Sequence, residues 1–147
     1  MDPAALTRIG KLLDAQRFAV LCTSTQGWPY AGLVAFYAHP DRHHIYFATP
    51  RNTQKTANLL SDNRVALLVD NRSNSADDCD QAIAVTILGR AEILPDSSRA
   101  QAVSDYLKEH PNLTDFVESP QTAMVCVHVE HYRLVEQFQA TTDIKPE

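Results

Sequence analysis

The chain has 147 residues, 44% of them apolar, which supplies one buried core but not two ordinary domains, so residues 1–147 are read as a single domain. Lys and Arg number 13 against 18 Asp and Glu, and the formal charge of −5 argues against a general nucleic-acid or anionic-membrane binder. No run approaches the roughly 20 apolar residues of a membrane span, and the N-terminus MDPAALTRIGK lacks the pattern of a signal peptide; a cytoplasmic protein is expected.

Asp2-Pro3 opens a helix that places Leu6, Ile9, Leu12 and Leu13 on one side and ends near Gln16. Strands follow as an antiparallel meander: FAVLCTST, the turn Gln26-Gly27, WPYAGLVAFYA, the turn His39-Pro40-Asp41, then HIYFAT. Residues 52–60 return to helix, with Asn52 or Thr53 as cap and Ala57, Leu59 and Leu60 sharing a side. Next come the strand RVALLV, a polar loop over 70–81, and the long strand AIAVTILGRAEIL. Ile83, Val85 and Ile87 lie on one side of that strand by period two, and Gly89 marks a bulge or a close approach. Pro95-Asp96-Ser97 opens a helix to about His110, with Ala100, Val103 and Leu107 as its buried stripe and Pro111 closing it. TAMVCVHVEHY and RLVEQF are the last strands, or one bent strand.

Six or seven strands joined mainly by hairpin-type turns predict a mainly β fold, an antiparallel β-barrel with helices at its margins, because closure removes exposed edges. A parallel α/β sheet fits poorly: each crossover needs a connection of about a dozen residues, and tight turns join the first three strands.

The segment HIYFATPRNTQKTANLL carries the chemistry. A strand ends in Thr49, a turn holds Arg51, and a helix begins with Thr53, Gln54 and Lys55. Unpaired first-turn amides, hydroxyls and cationic side chains together suit a phosphate. The plainer reading is a capping residue beside solvated charges. Neither GxxxxGK[ST] nor GxGxxG is present.

The stretch GWPYAGLVAFYAHPDRHHIYFATPRNTQKTANLLSDNRVALLV resembles the FMN-binding split barrels typified by pyridoxamine 5'-phosphate oxidase. The likeness rests on the order and spacing of Gly27-Trp28-Pro29, Leu33 to Ala35, Phe47 to Thr49, Thr53-Gln54-Lys55 and Asn63-Arg64-Val65, is good over about 12–94, and weakens over the last fifty residues. It implies a six- to seven-stranded antiparallel split β-barrel, a homodimer with FMN at the subunit interface, and oxidoreductase activity on a small molecule or electron acceptor. Thr49, Thr53 and Lys55 are implied to hold the FMN phosphate, with Gln54 standing where arginine is usual. Leu33, Val34 and Ala35 are implied to run beside the isoalloxazine ring, and Ala48 to contribute backbone only. Three positions depart from the family pattern: Gly32 replaces an arginine, Tyr37 a lysine, and Ala84 roughly a glutamine. The oxidase's C-terminal substrate segment, rich in arginine and tryptophan, is missing, since Trp28 is the single tryptophan, so vitamin B6 oxidation is not expected. A deazaflavin-dependent reductase and a non-catalytic flavin- or haem-binding protein are the other readings; no acid or base is nominated.

Cys22, Cys79 and Cys126 are odd in number and lack a CxxC pair, which excludes a disulfide framework or zinc knuckle. Cys22 reads as an inert buried thiol. His39, His43 and His44 read as solvated turn histidines, and His128, in period with Met124 and Cys126, as core or interface packing; no metal site is expected. Asp77, Asp78 and Asp80 lack the glycine and glutamate of a calcium loop. Trp28 either caps the flavin or fills the barrel mouth.

Overall fold

The computed structural model describes residues 2–137 and 140–147. Its strands are β1 (Phe18–Thr25), β2 (Trp28–Ala38), β3 (His44–Pro50), β4 (Arg64–Asp70), β5 (Ala84–Ile93), β6 (Thr122–Glu136) and β7 (Ala140–Ile144). They run in the order β3-β2-β1-β4-β5-β6-β7, and β3 also pairs with β6, which closes a six-stranded antiparallel barrel with β7 as an extra strand. The helices are α1 (Pro3–Ala15), α2 (Gln54–Ser61), α3 (Asp78–Gln81), α4 (Asp96–Glu109) and α5 (Thr114–Glu118), with a 3-10 turn at Pro111–Leu113. Among the described residues no helix is long and apolar enough to cross a membrane.

Period-two alternation fills the barrel. Leu21, Phe36, Ile45, Phe47, Leu67, Ile87 and Val125 point inward, and Ile9, Leu12 and Leu13 of α1 join the same core. Asp2 caps α1 by accepting from the Ala5 amide at 3.1 Å. A smaller apolar cluster lies outside the barrel, where Ala102, Tyr106 and Val117 of α4 and α5 cover Ala48 and Met124.

The long strand β6 serves three neighbours. Its residues 122–128 pair with β3, 125–135 with β5, and 132–136 with β7. Leu88 faces His131 while Gly89 faces Val129, so Glu130 is the extra residue of a bulge. Gly89 is required by close approach as well: a Cβ there would sit 2.3 Å from the His128 carbonyl oxygen. The expected bent strand is therefore one strand with a bulge; Phe138 of the segment RLVEQF lies outside the described residues.

Two helices bury only part of the face expected: Leu59 on α2 and Val103 and Leu107 on α4 pack as expected, and the others do not. On α2, Thr56, Asn58 and Leu59 are buried, whereas Ala57 is exposed and Leu60 is 74% exposed. Polar tethers set this face: the Thr56 hydroxyl donates to the Pro50 carbonyl at 2.8 Å, and Asn58 Nδ2 donates to Thr23 Oγ1 at 3.0 Å. On α4, Ala102 and Tyr106 are buried, Val103 and Leu107 flank them, and Ala100 is exposed. The rotation follows from Tyr106, whose hydroxyl is anchored in the sheet. The polar 70–81 segment ends in the short exposed helix α3, and α5 and β7 are additions to the expected elements.

Candidate functional site

The site begins where two strands part. β2 and β3 pair only over Phe36–Ala38 and Ile45–Phe47, although β1 holds β2 over Trp28–Ala35 and β6 holds β3 along its whole length. The Phe36 amide donates toward β1, to the Arg17 carbonyl at 3.1 Å. By alternation Ala35 and Leu33 turn their backbone groups toward the gap, facing Ala48 and Pro50.

The hydroxyl of Tyr106 occupies the narrow end of this split. It donates to the Ala35 carbonyl at 3.0 Å and receives the Ala48 amide, standing in for the ladder bond that the parted strands no longer make. Burial pushes its pKa up to about 12. One helical turn on, the buried His110 donates from Nε2 to the Phe36 carbonyl at 2.7 Å, with its ring 4.8 Å from that of Tyr106. Arg17 Nη1 donates to the Glu109 carbonyl at 2.7 Å, neutralising the C-terminal end of α4.

Between these walls lies a cleft of about 700 Å³, within the range of small-molecule sites. Leu33, Val34, Ala35, Ala48 and Lys55 line one side, and Arg17, Tyr106, Lys108 and His110 line the other. The first five were expected from sequence. The facing wall was not, because its partners lie far away in the chain; the Tyr106–His110 spacing ahead of Pro111 is the signal that points to it.

The expected phosphate residues divide. Lys55 reaches the cleft, its stem lying along Gly32, where a Cβ would sit 3.3 Å from Lys55 Cδ. The arginine-to-glycine departure therefore makes room for this lysine, which has no acidic partner among the described residues. Thr49 is fully buried behind the cleft, with Oγ1 3.4 Å from Thr53 Oγ1. Thr53 is the α2 cap, accepting from the Thr56 amide at 3.3 Å and donating to the Pro50 carbonyl at 3.1 Å. Gln54 is exposed and donates from Nε2 to Asn58 Oδ1 at 2.7 Å, along its own helix. Arg51 turns away to the Pro120 carbonyl, and Ala84 pairs with Val135 rather than lining the cleft.

Elsewhere, Cys22 is half-buried and Cys126 is the buried thiol; burial pushes the latter up to about 11, so it keeps its proton near neutrality and is a poor nucleophile. Trp28 is 77% exposed and does not fill the barrel mouth. His128 is exposed rather than packed in the core, because it alternates with the inward-facing Val127 and Val129.

The family model described as "Pyridoxamine 5'-phosphate oxidase" matches residues 7–136. The chain belongs to this family. Solved structures agree in fold. A heme-binding protein from Mycobacterium smegmatis superposes with a TM-score of 0.86 at 18% identity, covering 99% of this chain and 60% of that one. A Clostridium acetobutylicum protein related to general stress protein 26, of the pyridoxinephosphate oxidase family, gives 0.77 at 16% identity, covering 99% and 96%. An FAD-binding protein from Mesorhizobium loti gives 0.70 at 22% identity, covering 88% and 90%. No curated protein matches the chain significantly. The pyridoxamine 5'-phosphate oxidase family thus includes this mainly β split barrel, and its structural relatives include proteins that bind heme or a flavin.

Proposed function

We propose that the cleft binds FMN and that the protein is a cytoplasmic, homodimeric, flavin-dependent oxidoreductase acting on a small molecule, without pyridoxamine 5'-phosphate oxidase activity itself. The observation that carries this reading is the open backbone edge at Leu33 and Ala35 beside an unpaired Lys55. A flavin ring is flat, with a polar edge that backbone N–H and C=O groups can bond whatever side chains are present. Its phosphate tail needs a cation, and Lys55 is the cation placed at the start of α2. The residues present therefore fit the group, with a phosphate grip reduced to Lys55 and the Thr53 region.

When bound, FMN supplies the electron-transfer chemistry. Leu33, Val34 and Ala35 would pack beside the ring and Lys55 would neutralise the phosphate, while Tyr106 holds the split at a fixed width. With a pKa of about 12 and both hydrogen-bonding directions in use, Tyr106 is a positioning residue rather than an acid. Arg17 and Lys108 face the remaining space and would meet an anionic substrate or acceptor. A second copy is the occupant we assign to the exposed apolar residues Phe18 and Leu33 at the cleft and Trp28 and Tyr30 further along β2. Flavin is favoured over haem by the unpaired Lys55 at the start of α2, which suits a phosphate tail.

Purified protein incubated with FMN and gel-filtered should elute as a dimer with retained oxidised-flavin absorbance. A Soret band, or no retained chromophore, overturns the assignment. Lys55→Ala should weaken FMN roughly tenfold or more while leaving riboflavin nearly unchanged, since only the phosphate loses a charge-assisted partner; equal losses for both would remove Lys55 from the phosphate site.

A further inference from the structure

We propose that His44, Cys126 and His128 form a Zn2+ site on the outer face of the β3–β6 seam. The strand register builds it: His44 lies opposite His128, and Tyr46 opposite Cys126. Residues two apart on β6 share a face, so Cys126 and His128 project together toward His44. The ligand atoms of the three side chains all lie within 4.8 Å of one another, the one such set of three among the described residues.

What surrounds the cluster separates it from a chance grouping. His44 Nδ1 meets Asp41 Oδ2 at 2.7 Å, and His128 Nε2 meets Glu92 Oε2 at 2.8 Å. A carboxylate on one ring nitrogen fixes the tautomer and leaves the other nitrogen's lone pair for a metal, an arrangement common around zinc-bound histidines. Asp41 is itself held, accepting from the His43 amide at 2.8 Å. Tyr46 hydrogen-bonds the Cys126 sulfur, which closes the base of the site. Two separate surface ion pairs would account for each histidine alone but not for their convergence on one sulfur.

Two imidazoles and a thiolate are the borderline-soft donors that Zn2+ selects in tetrahedral geometry. Bonds of about 2.0–2.3 Å require the two imidazoles to rotate inward, which their half-exposed positions allow. As the Cys126 sulfur–Zn bond forms, the thiol proton passes to solvent, and water takes the fourth position. The site sits at the His44 end of β3, whereas the cleft uses Ala48 and Pro50 at the other end, so the assignment stands apart from flavin binding. Bound metal would clip the strand pair that closes the barrel.

The test is titration of reduced, tag-free, chelator-stripped protein with Zn2+ against a competing chromophoric chelator, followed by Co2+ loading. One Zn2+ per chain, a raised Tm, and a thiolate-to-Co2+ charge-transfer band with intense tetrahedral d–d bands are expected. His128→Ala should lower affinity at least tenfold with an unchanged circular dichroism spectrum, and Glu92→Gln should lower it by roughly tenfold. Cys126→Ser should remove the charge-transfer band; if that variant fails to fold, the band in the parent protein and its loss in His128→Ala decide the matter. Substoichiometric binding, Co2+ spectra without a thiolate band, or affinity unchanged in His128→Ala overturns the site.

Discussion

β3 is bordered by two seams of opposite character. Toward β6 it pairs along its whole length, from His44 with His128 to Pro50 with Thr122; toward β2 it pairs over three residues and then parts. The closed seam fixes side chains at cross-strand distances, so what it can bind is decided by residue identity, as at His44, Cys126 and His128. The open seam exposes backbone, so what it can bind is decided by where pairing stops. Leu33, Val34, Ala35 and Ala48 are apolar residues of ordinary type, and their part in the site comes from position alone.

The contrast can be attacked from the closed side first. Gly89→Val puts a side chain where the His128 carbonyl already sits, and should cost about 3 kcal/mol or more or prevent folding, read as a loss of midpoint in urea. A wild-type midpoint would mean that the bulge at Glu130 can slide. On the open side Tyr106→Phe removes the hydroxyl that spans Ala35 and Ala48. About 1–2 kcal/mol of stability should be lost, together with flavin affinity, because the split loses its fixed width.

Alkali should separate the same groups. Tyr106 and Tyr46 titrate at about 12 in the folded chain against an ordinary value of 10.0, and Cys126 at about 11 against 9.0, in each case chiefly through burial. The unfolded chain therefore loses these protons first. Stability should be complete below about pH 9 and fall as pH rises through 9–12, and Tyr106→Phe should flatten the upper part of that fall. The smallest expected effect is that of Thr53→Ala, about 1 kcal/mol from the lost α2 cap, with FMN weakened less than by Lys55→Ala. Unchanged FMN affinity would confine Thr53 to capping.

The sequence reveals what is local. Period-two runs and turn residues locate β1 to β5 to within a residue or two, and Thr53 is legible as a cap because its partner lies three residues away. The hidden features depend on distant partners. The buried face of α2 is chosen by Asn58 reaching Thr23, and that of α4 by Tyr106 reaching Ala35. A helical stripe that weighs hydrophobicity alone gives these polar anchors no weight, so it picks Ala57, Leu60 and Ala100 instead. Thr49 and Gln54 show the same limit within the site: the motif gives their order, but only packing tells that one is buried and the other turned away. The His44–Cys126–His128 cluster needs the β3–β6 register, which no local pattern encodes.

The reach of β6 also sets a timetable for synthesis. β1 to β4 can pair as they leave the ribosome, but β3 and β5 each keep an unpaired edge until residues 122–136 emerge, since β6 completes both. For most of its translation the chain is an open sheet with sticky borders, vulnerable to association with a neighbouring nascent chain. A ribosome stalled just before Thr122 should therefore hold a protease-sensitive, chaperone-dependent intermediate, and one stalled far enough beyond Glu136 for β6 to clear the exit tunnel should hold a resistant barrel.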